Sequence, residues 1–260
     1  MDSPTATELE AGLLAWRAAV LNDPNARWNA RQDLRHWQRA AARYEQHRLP
    51  LSRTLAEVRR RLRPEWSVLD VGAGTGRFTR PLAAQVRSVT ALDYSRDMLA
   101  VLVAAGLPTN ACVLHRDFHS PGVPVHDAVL SAWALYRSPD LRADVRRLWS
   151  LARHLLLVLD DNGRPSPHVA WRRGASPLPL ARTALIAGLL AEGRAEVEVV
   201  EVREEQVEMF SDQDALLAHY GVDGPRGAEF LHHLAPHLTD ADGGVRYRFE
   251  AVTTLVVARR

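Results

Sequence analysis

A short segment of this chain combines one acid with three regularly spaced glycines. Asp70 lies near the end of the apolar run Val68–Val71, and Gly72, Gly74 and Gly76 follow it at alternate positions. Glycine lets a backbone approach a ligand closely and adopt a positive φ. A helix after such a loop offers free N–H groups and a partial positive charge to a polar ligand group. The segment therefore predicts a site for a nucleotide-like cofactor at the carboxyl end of a first β-strand.

The spacing of the glycines distinguishes this loop from two other nucleotide-binding loops. A dinucleotide fingerprint has the spacing G-x-G-x-x-G, whereas this chain has G-x-G-x-G followed by Arg77. A phosphate-binding P-loop requires a lysine, and the chain contains none. Asp70 would repel a pyrophosphate but suits a cationic amine. S-adenosylmethionine combines an ammonium group, a sulfonium and an adenosine, so these residues favour it as the cofactor.

Two segments carry a resemblance to a known family. Asp70-x-Gly72-x-Gly74-x-Gly76 resembles the first motif of the class I S-adenosylmethionine-dependent methyltransferases of the small-molecule type, and Leu92-Asp93-Tyr94-Ser95-x-x-Met98-Leu99 is similar to the second. The resemblance implies an enzyme that transfers the methyl group of S-adenosylmethionine. It also implies an α/β fold, with a doubly wound, mainly parallel seven-stranded sheet, an antiparallel C-terminal strand and added N-terminal helices.

The second motif supplies three candidate cofactor-binding residues. Asp93 ends the second predicted strand, where an acid can accept hydrogen bonds from a ribose diol. A helix cap is the alternative role for Asp93. The resemblance implies that Tyr94 and Met98 flank the adenine ring, and plain packing is the alternative for both.

Two further segments follow the third and fourth predicted strands. The resemblance implies that Asp117 accepts a hydrogen bond from the adenine amino group and that the backbone N–H of Phe118 contacts the ring. A turn aspartate is the alternative for Asp117. Trp133 and Tyr136 lie at the end of the fourth strand, where the methyl group would be presented. Their rings could favour the sulfonium through cation–π contact, or they could belong to the core.

Methyl transfer requires alignment of acceptor, methyl group and sulfur rather than a nucleophilic side chain. A general base is needed only where the acceptor must lose a proton. The candidates are His119, Tyr44 and Asp160, with Asp161 and His168 beside them. The resemblance implies that a tyrosine such as Tyr44, on an N-terminal helix, reaches the cofactor or covers the site. A place in the core is its alternative.

Strands and helices are expected to alternate after residue 64, which predicts a parallel sheet with helices on both faces. A bulge is expected near Val199, where the alternation of Glu and Val slips. A helix is predicted over Arg77–Gln85, and the proline-rich segment Asn162–Pro179 is predicted to be a loop. The predicted strands are Ser67–Val71, Val89–Asp93, Ala111–His115, Asp127–Ala132, Leu155–Asp160, Glu196–Phe210 and Tyr247–Ala258.

The chain is expected to divide into two parts. Residues 1–63 are predicted to form an N-terminal helical extension that acts as a lid, and residues 64–260 a methyltransferase domain. Within that domain, residues 161–195 are expected to form an insertion that lines the substrate side. The active site should lie between these additions and the carboxyl edge of the sheet.

Composition excludes several classes of protein. The 260 residues are 47% hydrophobic and 25% charged, which is typical of a soluble globular protein. No apolar run approaches the roughly 20 residues of a membrane span, and the N-terminus lacks the pattern of a signal peptide. A single cysteine, Cys112, excludes an intrachain disulfide and a cysteine metal cluster, so no metal is predicted. A cytoplasmic location is expected.

A small-molecule acceptor is the first expectation, and two alternatives remain open. Five arginines recur every fourth residue of a predicted N-terminal helix, which is typical of a solvated helix face or of a surface that docks RNA. An RNA methyltransferase is therefore one alternative. A non-catalytic protein that binds S-adenosylmethionine is the other. The five arginines are Arg27, Arg31, Arg35, Arg39 and Arg43.

Overall fold

The computed structural model describes residues 4–22, 35, 37, 41, 50–136, 138–162, 164–173, 182–241 and 243–260. Arg35, Trp37 and Ala41 are helical. Tyr44 and the other four arginines of the N-terminal set lie outside the described residues. The hypotheses about Tyr44 and about an RNA-docking surface therefore stay predictions.

The described residues contain one eight-stranded sheet with the order β3-β2-β1-β4-β5-β8-β6, and β7 pairs with β8 beside this path. Neighbours among β1 to β5 are parallel, whereas β8 is antiparallel to β5, β6 and β7. The strands are β1 (Ser67–Val71), β2 (Ser88–Asp93), β3 (Ala111–His115), β4 (His126–Ala132), β5 (Ala152–Asp160), β6 (Glu196–Phe210), β7 (Leu238–Ala241) and β8 (Gly244–Arg259).

This topology confirms the predicted fold class and corrects two details of it. The short strand β7 was not expected, because its four residues show no strand pattern in the sequence and pair only with the first residues of β8. The bulge predicted near Val199 is wrong, since the register between β6 and β8 is continuous from Glu196↔Arg259 to Phe210↔Val245. The slip in the Glu–Val alternation arises because Val199 is an exposed valine.

The helices cover both faces of the sheet. They are α1 (Ala6–Asn22), α2 (Ser52–Arg59), α3 (Thr79–Ala83), α4 (Arg96–Ala104), α5 (Leu141–Leu151), α6 (Pro167–Arg173), α7 (Arg182–Glu192), α8 (Gln213–Tyr220) and α9 (Pro225–Leu234), followed by a 3₁₀ turn over Ala235–His237.

Two of these helices correct the sequence predictions. The helix after the glycine loop begins only at Thr79, because Gly76 still has a φ of 87° and the chain has not yet entered the helical region. Part of the predicted loop Asn162–Pro179 is helix α6. Pro167 starts that helix, where proline is tolerated because the first helical N–H has no partner to lose.

The core lies on the two faces of the sheet. Val68 and Leu69 in β1 face opposite clusters, as the two-residue period of a strand requires. Leu69 packs into a cluster that includes residues of α1, α5 and α7, and Val68 into one that includes residues of α2 and α3. Burial on both faces explains why the central strands are almost continuously apolar.

A third apolar cluster holds the far ends of β6 and β8 against α8 and α9. Tyr247 and Phe230 are fully buried at its centre, and Trp171 of α6 packs against it. Trp171 and Phe230 make an edge-to-face contact with ring centroids 4.8 Å apart. The cluster thereby positions α6 beside the end of β5.

Candidate cofactor and acceptor site

A cavity of about 490 Å³ lies at the carboxyl ends of β1, β2, β4 and β5. The strand order reverses between β1 and β4, and ligands of doubly wound sheets bind in the crevice at such a point. The cavity is lined by Trp37, Asp70, Gly72, Ala73, Gly74, Thr75, Arg77, Phe78, Asp93, Tyr94, Met98, Ala132, Trp133, Ala134, Tyr136, Asp161, Val169 and Arg182.

The glycine loop is packed too tightly for side chains at two of its positions. Gly72, Gly74 and Gly76 have φ values of 71°, 55° and 87°, which L side chains rarely adopt. A Cβ on Gly72 would lie 2.8 Å from the Cβ of Ala134, and one on Gly76 would lie 2.3 Å from Cδ1 of Leu102. The loop therefore needs glycine both for its conformation and for its contact with neighbouring elements.

Asp93 holds this loop against the start of α4. Its Oδ2 accepts a hydrogen bond from Gly74 N at 2.8 Å, and its Oδ1 accepts one from Ser95 N at 2.7 Å. The helix cap itself is Ser95, whose hydroxyl accepts from Met98 N. Each carboxylate oxygen has more than one acceptor site, so Asp93 can also accept hydrogen bonds from a diol in the cavity.

Asp70 is a buried carboxyl group on the cavity wall. Its Oδ2 accepts a hydrogen bond from the hydroxyl of Thr79 at 2.6 Å. The pKa of Asp70 is raised to about 6, mainly by burial and also by the charge of Asp93, while the Thr79 hydrogen bonds oppose the rise. A cation in the cavity would favour the ionised form of Asp70.

Thr75 has a buried hydroxyl group beside the cavity. The residue is 1% exposed and lines the cavity, and among the described residues its hydroxyl has no hydrogen-bond partner. An unsatisfied buried hydroxyl is costly, whereas a ligand group that bonds it would remove that cost. The glycine loop, Asp70, Asp93 and Thr75 thus fit a cofactor with a cationic polar end and a ribose.

Trp133 occupies an unusual backbone conformation at the end of β4. Its φ is 50°, which is rare for a bulky residue and is often found at functional sites. Its N–H donates to Leu159 O at 2.9 Å. Its ring centroid lies 6.3 Å from that of Phe78, and the guanidinium carbon of Arg77 lies 5.9 Å from it. These contacts keep the indole at the cavity wall.

Arg182 is a buried residue that joins several parts of the site. Its Nε donates to Asp160 Oδ2 at 2.7 Å, and its Nη2 contacts the other carboxylate oxygen. Its Nη1 donates to Tyr136 O at 3.2 Å, and its guanidinium lies 4.9 Å from the ring centroid of Trp16. Burial raises the pKa of Asp160, and the charge of Arg182 opposes that rise.

These contacts argue against Asp160 as a general base. Both of its oxygens face Arg182, and Oδ1 also accepts from Asn162 N at 2.9 Å. Asp160 is absent from the lining of the cavity, whereas the next residue, Asp161, is part of it.

The two histidine candidates also lie away from the cavity lining. His119 is exposed, and its Nε2 lies 2.6 Å from Asp144 Oδ1. His168 lies between the hydroxyls of Ser166 and Tyr247, at 3.0 and 3.1 Å. Burial lowers the pKa of His168 to about 4, with the charge of nearby Arg172 in the same direction. His168 therefore remains neutral at neutral pH and stabilises the third cluster.

Asp117 and Phe118 are likewise not part of the described cavity lining. Asp117 is exposed, and its carboxylate accepts from His119 N at 2.8 Å, which is a turn interaction. Phe118 packs against the core and lies 4.3 Å from the His119 ring. Their predicted contacts with adenine stay predictions.

Sequence reasoning had not found Arg182 or Val169 as part of this site. Arg182 is one of 33 basic residues, all of them arginine, and nothing in the sequence marks it as buried. Val169 lies in a segment whose composition predicted a loop. Thr75 could have been found, because it lies between two of the motif glycines.

The described residues contain neither a group of metal ligands nor a membrane-spanning helix. Among them, no group of three or more His, Cys, Asp or Glu side chains could hold a metal ion. No helix in the described ranges is long and apolar enough to cross a membrane.

Comparison with known proteins supports the class that the motifs indicate. The family model described as a methyltransferase domain matches residues 68–155, which include the glycine loop, Asp93 and β4. No curated protein matches the chain in sequence.

Solved structures show the same fold. The YcgJ protein of Bacillus subtilis has a TM-score of 0.56 at 15% identity and covers 81% of this chain and 99% of its own. A proposed methyltransferase from Bacillus halodurans C-125 has a TM-score of 0.54 at 17% identity, with 80% and 97% covered. The plantazolicin methyltransferase BpumL, in complex with SAH, has a TM-score of 0.50 at 15% identity, with 98% and 97% covered.

The matched domain and the fold together define the class of this protein. Residues 68–155 form a methyltransferase domain, and the sheet has the arrangement of its structural neighbours. Residues 68–155 therefore carry a methyltransferase domain, as the motifs predict, within a chain that has the Rossmann-like fold of its structural neighbours.

Proposed function

We propose that the cavity binds S-adenosylmethionine and that the enzyme methylates a small-molecule acceptor. One observation carries this proposal. A single cavity joins the glycine loop and Asp93 to the aromatic residues that follow β4. The first group fits the cofactor, and the second stands where an acceptor would meet the methyl group.

Each part of the wall has a separate binding role in this proposal. Asp93 accepts hydrogen bonds from the ribose hydroxyls, and Tyr94 and Met98 flank the adenine. The backbone of Gly72, Gly74 and Gly76, which deviates from ordinary strand geometry, gives the amino-acid end of the cofactor room to approach.

The charges of the cavity wall favour the same orientation of S-adenosylmethionine. The carboxylate of Asp70 attracts the cationic ammonium, and the hydroxyl of Thr75 bonds a polar atom of the same end. The ring of Trp133 favours the sulfonium through cation–π attraction. S-adenosylmethionine supplies a methyl group that an acceptor's lone pair displaces from sulfur in line. The protein orients the two partners and excludes water.

The shape of the cavity supports a small acceptor. Its volume of about 490 Å³ lies within the range of about 300–1,000 Å³ of small-molecule sites. Val169 of α6, Arg182 of α7 and Trp37 of the N-terminal part also line it. BpumL, which is similar in fold over almost the whole chain, is by its name a plantazolicin methyltransferase.

Calorimetry with S-adenosylmethionine and with its demethylated product, SAH, tests the cofactor site. We expect the wild type to bind both. Asp93→Asn should weaken binding by about 10- to 100-fold, which corresponds to ~1–3 kcal/mol, because the amide cannot accept equally from a diol and from Gly74 N.

Asp97→Asn is the matched control for this experiment. Asp97 lies four residues further on, is exposed, and does not line the cavity. It should bind the cofactor like the wild type. Absence of binding by the wild type would contradict the proposed function, and equal effects of the two variants would contradict the role of Asp93.

A further inference from the structure

We propose, on the basis of the proposed function, that Trp16 is a positioning residue for methyl transfer. It belongs to α1, which precedes the matched domain, and it is absent from the described lining of the cavity. Its indole N–H holds the β4–α5 loop, which comprises residues 133–136 and 138–139. That loop presents the ring of Trp133 to the sulfonium of S-adenosylmethionine.

The β4–α5 loop depends on outside contacts for its shape. It forms neither helix nor strand, and among its described residues one internal backbone hydrogen bond runs from Ser138 N to Leu135 O at 3.0 Å. Trp133, at its start, has a φ of 50°. A bulky residue keeps such a conformation only where its surroundings impose it. The contacts that hold the loop therefore determine where the Trp133 ring lies.

Hydrogen bonds to three other elements anchor this loop. Trp133 N donates to a carbonyl of β5 at 2.9 Å. Arg182 Nη1 of α7 donates to Tyr136 O at 3.2 Å. The indole Nε1 of Trp16 donates to Ser138 O at 2.6 Å, and this contact is buried. The first anchor lies within the sheet, whereas the other two come from helices that are remote in sequence.

The two remote anchors also contact each other. The guanidinium carbon of Arg182 lies 4.9 Å from the Trp16 ring centroid, where the ring face attracts the cation. Asp160 accepts from Arg182 Nε at 2.7 Å and holds the guanidinium further. Trp16 is 3% exposed, so loss of its N–H would leave the Ser138 carbonyl without this donor in a buried place. The loop would then lose an anchor that water cannot easily replace.

The glycine loop is held by different hydrogen bonds. Gly72 N donates to Leu92 O at 2.8 Å, and Gly74 N donates to Asp93 Oδ2 at 2.8 Å, so both contacts come from β2. A change at Trp16 should therefore affect the contact between the Trp133 ring and the sulfonium more than it affects the rest of the cofactor.

The relative affinity for S-adenosylmethionine and SAH tests this inference. The two ligands differ in the methyl group and in the positive charge on sulfur, and calorimetry at pH 7 gives both dissociation constants. Trp16→Phe keeps a ring beside Arg182 but loses the N–H donor. We expect it to bind SAH within about twofold of the wild type. Its affinity for S-adenosylmethionine relative to SAH should fall by about threefold or more, because the ring of Trp133 leaves the sulfonium.

Trp149→Phe is the matched control. Trp149 packs against the same core cluster as Trp16, and the guanidinium carbon of Arg260 lies 4.6 Å from its ring centroid, but it is absent from the described cavity lining. It should leave the relative affinity unchanged.

A double variant shows whether Trp16 acts through Trp133. Trp133→Leu removes the ring itself and should lower the relative affinity directly. Trp16→Phe added to Trp133→Leu should lower it no further, because the group that Trp16 positions is already gone.

Several results would overturn the inference. They are an unchanged relative affinity in Trp16→Phe, an equal loss of affinity for both ligands, an equal shift in Trp149→Phe, and a further shift in the double variant. An unchanged relative affinity in Trp133→Leu would overturn it as well, because the ring would then not meet the sulfonium.

Arg182→Lys tests the same loop should Trp16→Phe fail to fold. It keeps a cation near Asp160, but the shorter side chain cannot also reach Tyr136 O, so the relative affinity should again fall. An unchanged value in that variant would overturn the inference while the cofactor site stands. Failure of the wild type to bind either ligand counts against the proposed function itself.

Discussion

Asp70 is the residue whose ionisation the fold changes most clearly at the cofactor site. In the sequence it is one acid among many, and its place before the glycines suggests attraction to a cation. In the structure its carboxyl group is buried beside Asp93, so its pKa rises to about 6. The group that we propose to attract the cofactor's ammonium is therefore only partly ionised near pH 6.

This pKa predicts how cofactor affinity changes with pH. A cation stabilises the carboxylate form, so the pKa of Asp70 should fall when S-adenosylmethionine binds, and binding should release a proton below about pH 7. Affinity should fall by up to about tenfold per pH unit as the pH drops from 6 toward 5. The cofactor's α-amino group stays cationic over that range.

Calorimetry from pH 5 to 7, in buffers of different ionisation enthalpy, measures both the affinity and the proton release. Asp70→Asn should bind more weakly at pH 7 and should show a flatter profile. A wild-type affinity that is constant between pH 5 and 7 would show that Asp70 does not sense the cation.

The general-base candidates show that the type of a residue does not reveal whether its side chain reaches the cavity. His119, His168 and Asp160 each have the chemistry of a base, yet each is engaged elsewhere in the described structure. Asp161, the residue that follows β5, lines the cavity. Residue type defines what a side chain can do, and its surroundings decide whether it meets a substrate.

At the scale of elements, helix α2 is held by a contact from a distant strand. The residue before it, Leu51, has no side chain that can cap the helix. Glu204 of β6 accepts instead from Arg53 N at 2.6 Å, from Thr54 N at 3.3 Å and from the Thr54 hydroxyl at 2.6 Å. The buried carboxylate satisfies N–H groups at the helix start, as a local cap would.

Loss of this carboxylate should destabilise the protein. Glu204→Ala leaves the buried Thr54 hydroxyl and two backbone N–H groups without their acceptor, so the free energy of unfolding should fall by about 1–3 kcal/mol. Glu204→Gln keeps one acceptor oxygen and should lose less. Urea unfolding measures both variants.

The neighbouring Glu205 is the control for this prediction. It is exposed and pairs with Arg248 at the surface, so Glu205→Ala should change stability little. Equal losses in Glu204→Ala and Glu205→Ala would mean that Glu204 does not act as a helix cap.

Some helix and strand boundaries depend on the local sequence, and others depend on contacts with distant residues. Strands β1 and β3 and the long strand β6 match their predicted bounds, because their apolar or alternating patterns are local. Helix α6 and strand β7 were missed. Their places depend on the third cluster and on pairing with β8, which join residues far apart in the chain.

At the scale of the whole molecule, Arg182 joins parts of the chain that are remote in sequence. It contacts Trp16 of α1, the carbonyl of Tyr136 after β4 and the carboxylate of Asp160 in β5. The Trp16 indole also donates to Ser138 O at 2.6 Å. These contacts tie the first helix to the acceptor side of the cavity.

Removal of one partner of this buried ion pair should be costly. Arg182→Met leaves the Asp160 carboxylate buried without its counter-ion, so the free energy of unfolding should fall by about 3–5 kcal/mol. Asp160→Asn in the Arg182→Met background should recover part of that loss, because a neutral amide needs no counter-ion. Denaturant unfolding of the wild type, both single variants and the double variant measures the coupling.

Arg203→Met is the control, since Arg203 forms exposed ion pairs with Glu201 and Glu250. It should change stability little. Losses in the two single variants that simply add in the double variant would contradict a coupled pair.

The sequence by itself determined the kind of protein. The strand periodicity, the order of elements, the spacing of Gly72, Gly74 and Gly76 and the acids before and after them are local patterns, and they predicted the fold class and the cofactor. Local patterns suffice there, because the alternation of side chains along a strand and the conformation of a glycine loop depend mostly on adjacent residues.

Only the tertiary structure decided which groups line the cavity. Asp160 and Asp161 look alike in sequence, but Arg182 donates hydrogen bonds to Asp160, whereas Asp161 lies on the cavity wall, 3.6 Å from the same guanidinium. Arg182 also packs on the ring of Trp16, and the indole N–H of Trp16 donates to the carbonyl of Ser138, which is 122 residues away in the sequence. Such contacts form only when helices and strands that are distant in sequence pack together. The burial and the charge partners of a side chain therefore depend on the folded structure and not on its neighbours in sequence.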